Sequence, residues 1–224
     1  MDKAVTSITV GALPRKAPKQ LRSLATVDAI LDAAARVLVS QGYAHASTNR
    51  IAQVAGISVG SLYQYFPSKQ ALMIALQRRH ALRVSARIRQ AVDETLQLPL
   101  AQAVETLVNT AVDAYLDNPS LYRALEELLP YRSLYDERGG IEATVRGALL
   151  DLLSSHRADL SALDLELTAT VLMHTVRTLI YSLLVNANCR WDVQRVRDEI
   201  RLLALRYLGG SPAPGALPQT DTMA

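Results

Sequence analysis

The sequence predicts an all-α protein: an N-terminal three-helix helix-turn-helix domain, then a larger helical domain, about nine helices in all. Three observations carry this. Ala and Leu are everywhere, while the period-two β-branched alternation of strands is nearly missing. Cap residues and breakers recur at helix-sized intervals along the chain. Charge divides the chain in two: residues 1–90 hold 13 Lys and Arg against 3 Asp and Glu, whereas residues 91–224 hold 11 against 18. A basic module is thus joined to an acidic remainder, which fits an anionic partner for the first better than uniform solubility.

Taken in order, residues 1–24 read as a flexible basic arm carrying Arg15, Lys16, Lys19 and Arg22. Residues 25–72 read as the helix-turn-helix domain. Its first helix is expected from Thr26 as cap, with Ile30, Ala34, Val37 and Leu38 inward and Gly42 as stop. A second helix runs from Thr48 as cap to Ala55 and ends at Gly56. A third runs from Ser58 as cap to Phe66, where Pro67 forces a break. Ser68 then caps a long fourth helix beginning at Lys69. Residues 73–208 read as a second domain of further helices. Breaks are expected at Pro99, Asn118–Pro119, Pro130, Gly139–Gly140, near Ser161, and from Asn186 to Asp192. Residues 209–224, rich in Gly and Pro, read as a disordered tail.

Several classes are expected to be absent. One cysteine, Cys189, excludes an internal disulfide framework and a Cys-based zinc site, and reads as an incidental thiol. The stretch from Met1 to Val10 lacks a secretory pattern, and no run of about 18 uninterrupted apolar residues occurs. A cytoplasmic protein with no membrane partner is therefore expected. No metalloprotease, nucleophile-elbow or phosphate-loop motif is present, and His45, His80, His156 and His174 lack ligand spacing. Neither an enzyme, nor a metal site, nor a cofactor is expected.

The motif that carries function is residues 48–66, two short helices about a tight turn at Gly56. On a helical wheel of the third helix, Leu62 and Phe66 point inward. Gly60, Ser61 and Gln64 fall opposite, with Tyr63 and Tyr65 on the flanks. Such a face presses close to DNA: glycine permits backbone approach, Gln64 reaches base edges and the tyrosine hydroxyls reach phosphates. Helix N-termini at Thr26, Thr48 and Ser58 attract phosphate. Lys69 is unfavourable for the dipole of the helix that it opens, and a phosphate nearby accounts for it. The competing reading makes Tyr63 and Tyr65 half-buried structural aromatics of an ordinary three-helix unit.

These residues closely resemble the tetracycline-repressor (TetR/AcrR) family of bacterial regulators, from Val27 to about Leu72. The resemblance rests on Ile30-Leu31-Asp32-Ala33-Ala34, Gly42, Ile51-Ala52, Ala55-Gly56, Ser58, Leu62-Tyr63-Gln64-Tyr65-Phe66, Ser68-Lys69 and Leu72. It implies a homodimer on a palindromic operator in double-stranded DNA. It further implies that Thr48, Tyr63, Tyr65 and Lys69 hold phosphates, while Asn49, Val59, Gly60, Ser61 and Gln64 face bases. Asn49 and Val59 stand where the family varies and are expected to influence operator choice. For the arm from Arg15 to Arg22, DNA contact and a solvated tail are both open.

In the second domain, the stretch 164–185 is apolar nearly all round, which demands burial on more than one face. The resemblance implies that residues 73–208 are a ligand-binding and dimerisation domain, in which this stretch and the helix at 192–208 form the dimer interface, and the apolar composition supports that. The resemblance places a ligand cavity within the middle helices, where the candidates are Tyr115, Tyr122, Leu125, Leu129, Tyr131, Met173, His174, Arg177 and Tyr181. His174, Arg177 and Tyr181 share helical spacing and are expected to project together. Arg177, a charge on an apolar helix, needs a partner such as Glu126, Glu127, a dimer mate or an anionic ligand. The expected function is a sequence-specific regulator: a repressor released from its operator by a small, largely apolar ligand. An activator and a non-specific architectural DNA binder are the alternatives.

Overall fold

The computed structural model describes residues 21–128, 141–160, 164–186 and 190–209. Among these it contains nine α-helices and no strand, in two compact units, Met1–Arg79 and His80–Ala224. Cys189, Leu129, Tyr131 and the expected breaks at Pro130, Gly139–Gly140 and Ser161 lie outside the described residues, as does most of the N-terminal arm and C-terminal tail.

In the first unit, α1 spans Leu21–His45, interrupted at Gly42 (φ 69°, ψ 169°). The helix begins earlier than expected, because residues 21–25 contain no breaker and continue the turn pattern. Thr26 therefore lies inside α1 and is not its cap, and the helix-terminus argument for a phosphate there lapses. Arg22 likewise belongs to α1 instead of the arm.

The second helix, α2 (Thr48–Ala55), is capped by Ser47, whose hydroxyl accepts from the Arg50 N–H at 3.2 Å. Thr48 is the first helical residue, not the cap. Gly56 ends α2 in the left-handed region (φ 69°, ψ 30°), with Ile57 N–H reaching Ala52 O at 3.0 Å and Gly56 N–H reaching Gln53 O at 3.2 Å. That is the Schellman arrangement, which glycine adopts without a Cβ clash. Helix α3 (Val59–Tyr65) is capped by Ser58 as expected. Phe66 is extended because the following Pro67 disfavours helical backbone before it. Ser68 accepts from the Ala71 N–H at 3.0 Å and opens α4 (Lys69–Thr95). Ile30, Ala34, Val37, Leu38, Ile51, Ala52, Leu62, Phe66 and Leu72 are all buried, so the inward faces read from spacing are the faces that pack.

The second unit is built around α5 (Leu100–Leu116), which begins after Pro99 and buries Leu100, Ala103, Val104, Leu107, Val108, Ala111 and Val112. Helix α6 (Pro119–Leu128) takes Asn118 Oδ1 as its cap, accepting from the Leu121 N–H at 3.0 Å, with proline in the first helical position. Helix α7 (Ile141–Ser155) ends at His156, whose Nε2 lies 2.7 Å from Leu98 O. Helix α8 (Leu165–Ile180) is capped by Asp164 and widens into a π turn at Tyr181–Val185, closed by Asn186 N–H on Tyr181 O at 2.9 Å. Helix α9 (Val193–Leu208) is capped by Asp192 and closed by Gly209 in the left-handed region. The core joins α5 to α8 and α9, with Ile180, Val185, Val196, Ile200, Leu205 and Leu208 buried together. Arg197 ties α9 to α5 through Asn109 at 3.1 Å and through Asp113.

By length and composition alone, Leu165–Val185 is apolar enough to cross a membrane, though only 39% of that window is buried. Its packing against α5, α7 and α9 makes it the core helix of this unit. Its outer side leaves Leu167 (59%) and Val171 (37%) exposed, and α9 likewise leaves Leu203 (41%) and Tyr207 (38%) exposed. Spacing of four residues places each pair on one helix face.

Candidate nucleic-acid interface

Helix α3 is seven residues long, and its sequence fixes which side it shows. Leu62 is fully buried and Phe66 nearly so, which turns Gly60, Tyr63 and Gln64 outward. Tyr63 is 45% exposed, whereas Tyr65, Ser61, Val59 and Thr48 are half-buried and Asn49 and Ser58 exposed. A Cβ built on Gly60 would meet only Ser58 Oγ, at 3.9 Å. Packing within the protein thus leaves room for a side chain there.

Several polar groups at and beside this face are held by contacts within the protein. Thr48 Oγ1 and Tyr63 Oη are 3.1 Å apart, linking the first turn of α2 to the middle of α3. Thr48 is free for this contact because Ser47, one residue earlier, serves as the cap. Ser58 Oγ accepts from the Ser61 N–H at 3.0 Å and lies 2.8 Å from Ser61 Oγ. Lys69 donates to Tyr43 O at 3.0 Å, with its ammonium 4.0 Å from the centroid of the Tyr43 ring. That carbonyl and ring face offset the unfavourable dipole position, so a phosphate is not required to explain Lys69. Behind the face, Arg79 pairs with Asp32 at 2.8 Å and Asp28 at 3.6 Å, joining α4 to α1. Sequence reasoning missed Ser47 and Tyr43. Ser47 stands three residues before the N–H that it caps, but Thr48 beside it is an equally competent capping residue. Nothing local marks Tyr43.

In the second unit, Tyr122 and Leu125 of α6 and Met173 of α8 are buried, and Tyr115 and Tyr181 half-buried. Arg177 finds its partner in Glu126, at 3.1 Å, one of the partners expected for it. The three residues of the α8 face do not converge. His174 Nε2 faces Glu142 Oε1 of α7 at 3.3 Å, whereas Arg177 and Tyr181 meet α6. The reason is that α8 lies between two neighbours, and three residues of helix turn the side chain from one toward the other. Among the described residues no group of His, Cys, Asp or Glu is arranged to hold a metal ion.

Residues 30–76 match the family model described as bacterial regulatory proteins, tetR family, and residues 99–208 match a tetracyclin repressor-like C-terminal domain. An uncharacterised HTH-type transcriptional regulator of Pseudomonas putida, TtgW, is 32% identical over 112 residues, covering 49% of this chain and 75% of that protein. The chain belongs to the tetR family. Another relative, an uncharacterised HTH-type regulator of Mycobacterium tuberculosis, is 32% identical over 100 residues, 45% of this chain and 48% of that protein. The chain thus spans about half the length of the first curated relatives it matches. A tetR family transcription regulator from a Shewanella species superposes with a TM-score of 0.59 at 25% identity, over 81% of this chain and 96% of that one. The family is one of DNA-binding transcription factors, not enzymes.

Proposed function

We propose that this tetR family protein is a cytoplasmic, homodimeric repressor that binds a palindromic operator and leaves it when a small, largely apolar ligand binds the second unit. The observation that carries the reading is the outer face of α3. Gly60 and Gln64 are exposed opposite a fully buried Leu62, flanked by a half-exposed Tyr63 whose hydroxyl is held by Thr48, within the basic part of the chain. A small, polar, hydroxyl-edged helix face suits the major groove. Thr48, Tyr63, Tyr65 and Lys69 hold phosphates in this reading, and Asn49, Val59, Gly60, Ser61 and Gln64 face bases. The exposed pairs Leu167–Val171 and Leu203–Tyr207 support dimerisation through α8 and α9, since apolar pairs of this size are costly to leave in water. Ligand binding favours a dimer whose two α3 helices no longer match major grooves about 34–36 Å apart.

The test is binding to the DNA upstream of the protein's own gene, against scrambled DNA, at physiological salt. A preference of about 10³ or more is expected. Tyr63→Ala weakens binding to all DNA, whereas Gln64→Ala erodes the preference. Binding with a steep salt dependence and no preference for any genomic fragment supports an architectural DNA binder instead. Failure to bind any DNA refutes the reading.

A further inference from the structure

Charge in the first unit is laid out so that Lys69 keeps its own. Residues 21–79 hold two carboxylates, Asp28 and Asp32, and both face Arg79, at 3.6 and 2.8 Å. Lys69 is held by neutral groups instead. Its Nζ donates to Tyr43 O at 3.0 Å and stands 4.0 Å from the centroid of the Tyr43 ring. The contact joins the end of α1 to the first residue of α4. A carboxylate in that place would hold the side chain equally well but would cancel the charge that a phosphate meets. A ring face and a carbonyl orient an ammonium and leave its net charge whole.

Local structure explains why Tyr43 offers both. Gly42 (φ 69°, ψ 169°) takes the chain out of helical backbone, and a single turn follows, with Ala46 N–H on Gly42 O at 3.1 Å. Helix α1 ends two residues after Tyr43. The Tyr43 carbonyl thus belongs to a helix end, where main-chain acceptors have no donor within the helix. Partial negative charge gathers at such an end and draws a cation, whereas the start of α4 opposes one at Lys69. Tyr43 is 38% exposed, so the ring that carries the ammonium lies at the surface.

We propose that Tyr43 is a positioning residue for DNA binding: its ring and carbonyl hold the Lys69 ammonium at the surface in one orientation, charged and with N–H donors left for a phosphate. The assignment rests on the phosphate contact of Lys69 in the reading above and adds to it a residue outside the helix-turn-helix. A lysine free to sample its rotamers occupies the binding orientation only part of the time, and its contribution falls by that fraction. An exposed contact between a cation and a ring changes such a population by a factor of about two to five.

A double-mutant cycle on the full chain tests this, read as affinity for the preferred DNA fragment by fluorescence anisotropy. Tyr43→Leu removes the ring and keeps the carbonyl. It is expected to weaken binding about two- to fivefold, with the salt slope unchanged because the charge remains. Tyr43→Phe keeps the ring face and is expected to bind like wild type. In a Lys69→Gln background Tyr43→Leu is expected to cost nothing further, since no ammonium is left to position. Where Tyr43→Leu fails to fold, Tyr43→Met, which also lacks a ring, makes the same comparison. A tyrosine that only braces α1 against α4 costs the same in both backgrounds, and that result overturns the assignment. Wild-type binding by Tyr43→Leu overturns it too, as does a loss in Tyr43→Phe equal to that in Tyr43→Leu. Lys69→Gln alone separates the two levels. If it leaves affinity and salt slope unchanged, Lys69 holds no phosphate and the assignment falls with that contact. If it weakens binding and flattens the slope while Tyr43→Leu changes nothing, the phosphate contact stands and only the part of Tyr43 falls.

Discussion

Replacing Gly60 by alanine separates the needs of the fold from those of DNA. Gly60 is the second residue of α3, is exposed, and has open space where a Cβ would stand, the nearest atom being Ser58 Oγ at 3.9 Å. Alanine in a helix interior is worth about 0.5–1 kcal/mol over glycine, and the second position takes the lower end, about 0.5 kcal/mol. For a chain of this size that raises the melting temperature by about 1–2 °C. On DNA the sign reverses. A methyl forced into a packed contact costs about 1–3 kcal/mol, which is about 5- to 150-fold in affinity. Thermal unfolding and fluorescence anisotropy on the preferred fragment read the two effects from one preparation. A variant that is more stable yet binds DNA as well as wild type shows that Gly60 does not approach the groove. A less stable variant refutes the claim that the protein itself has room for the side chain.

The two turn glycines of the first unit differ in a measurable way. Gly42 (φ 69°, ψ 169°) occupies a region essentially reserved for glycine, whereas Gly56 (φ 69°, ψ 30°) is left-handed and tolerates asparagine. Urea unfolding of Gly42→Asn and Gly56→Asn is expected to show a loss of about 2 kcal/mol or more for the first and about 1 kcal/mol or less for the second. Arg177→Met strands Glu126, both side chains being less than one-fifth exposed. A loss of about 2 kcal/mol is expected, largely restored when Glu126→Leu is added, as a double-mutant cycle checks. His80 is held neutral in the fold by burial first and Arg83 second. The unfolded chain therefore takes up a proton below its ordinary value, about pH 6.5, that the native state resists. Stability is full above that pH and falls as pH drops toward the folded value, a limb that flattens in His80→Phe relative to wild type.

Features encoded by neighbouring residues were legible in the sequence. Ser58 and Ser68 cap helices because each stands at the start of an apolar periodic run, and Pro67 and Gly56 break the chain through their own backbone chemistry. The inward face of α3 follows from Leu62 and Phe66 alone. Legibility ended where two residues were equally competent or the partner was distant. Ser47 and Thr48 can each cap α2; Ser47 does so, and the Thr48 hydroxyl meets Tyr63, fifteen residues on, a partner that local sequence does not reveal. Thr26 looked like a cap because a capping residue type stands before the apolar run, although the breaker-free residues 21–25 continue the helix upstream of it. For His174, Arg177 and Tyr181 the spacing gave a common side of α8, but whether α6 or α7 lies there is a matter of tertiary packing. His80 carried no signal, since the Tyr122 ring beside it stands on α6, far along the chain.

Thr48, Tyr63, Ser58, Ser61 and Lys69 already have partners before any DNA arrives, which invites the objection that they are structural and nothing more. Counting donors answers it. An ammonium has three N–H donors, and Lys69 spends one on Tyr43 O. The hydroxyls of Thr48 and Tyr63 have one donor each, and their mutual bond uses only one of the two. Each pair is thus oriented by the fold with a donor to spare, which lowers the ordering cost of meeting a phosphate. Salt dependence tells orientation from charge. Thr48→Val removes no charge, so it should weaken DNA binding about five- to tenfold at every salt concentration with an unchanged slope, because Tyr63 is no longer held. Lys69→Gln removes one phosphate charge, so the slope of log affinity against log salt should become shallower by about 0.9. If Thr48→Val leaves affinity intact, the Thr48–Tyr63 link only braces α2 against α3. If Lys69→Gln leaves the slope unchanged, the ammonium stays with Tyr43 and no phosphate comes within its reach.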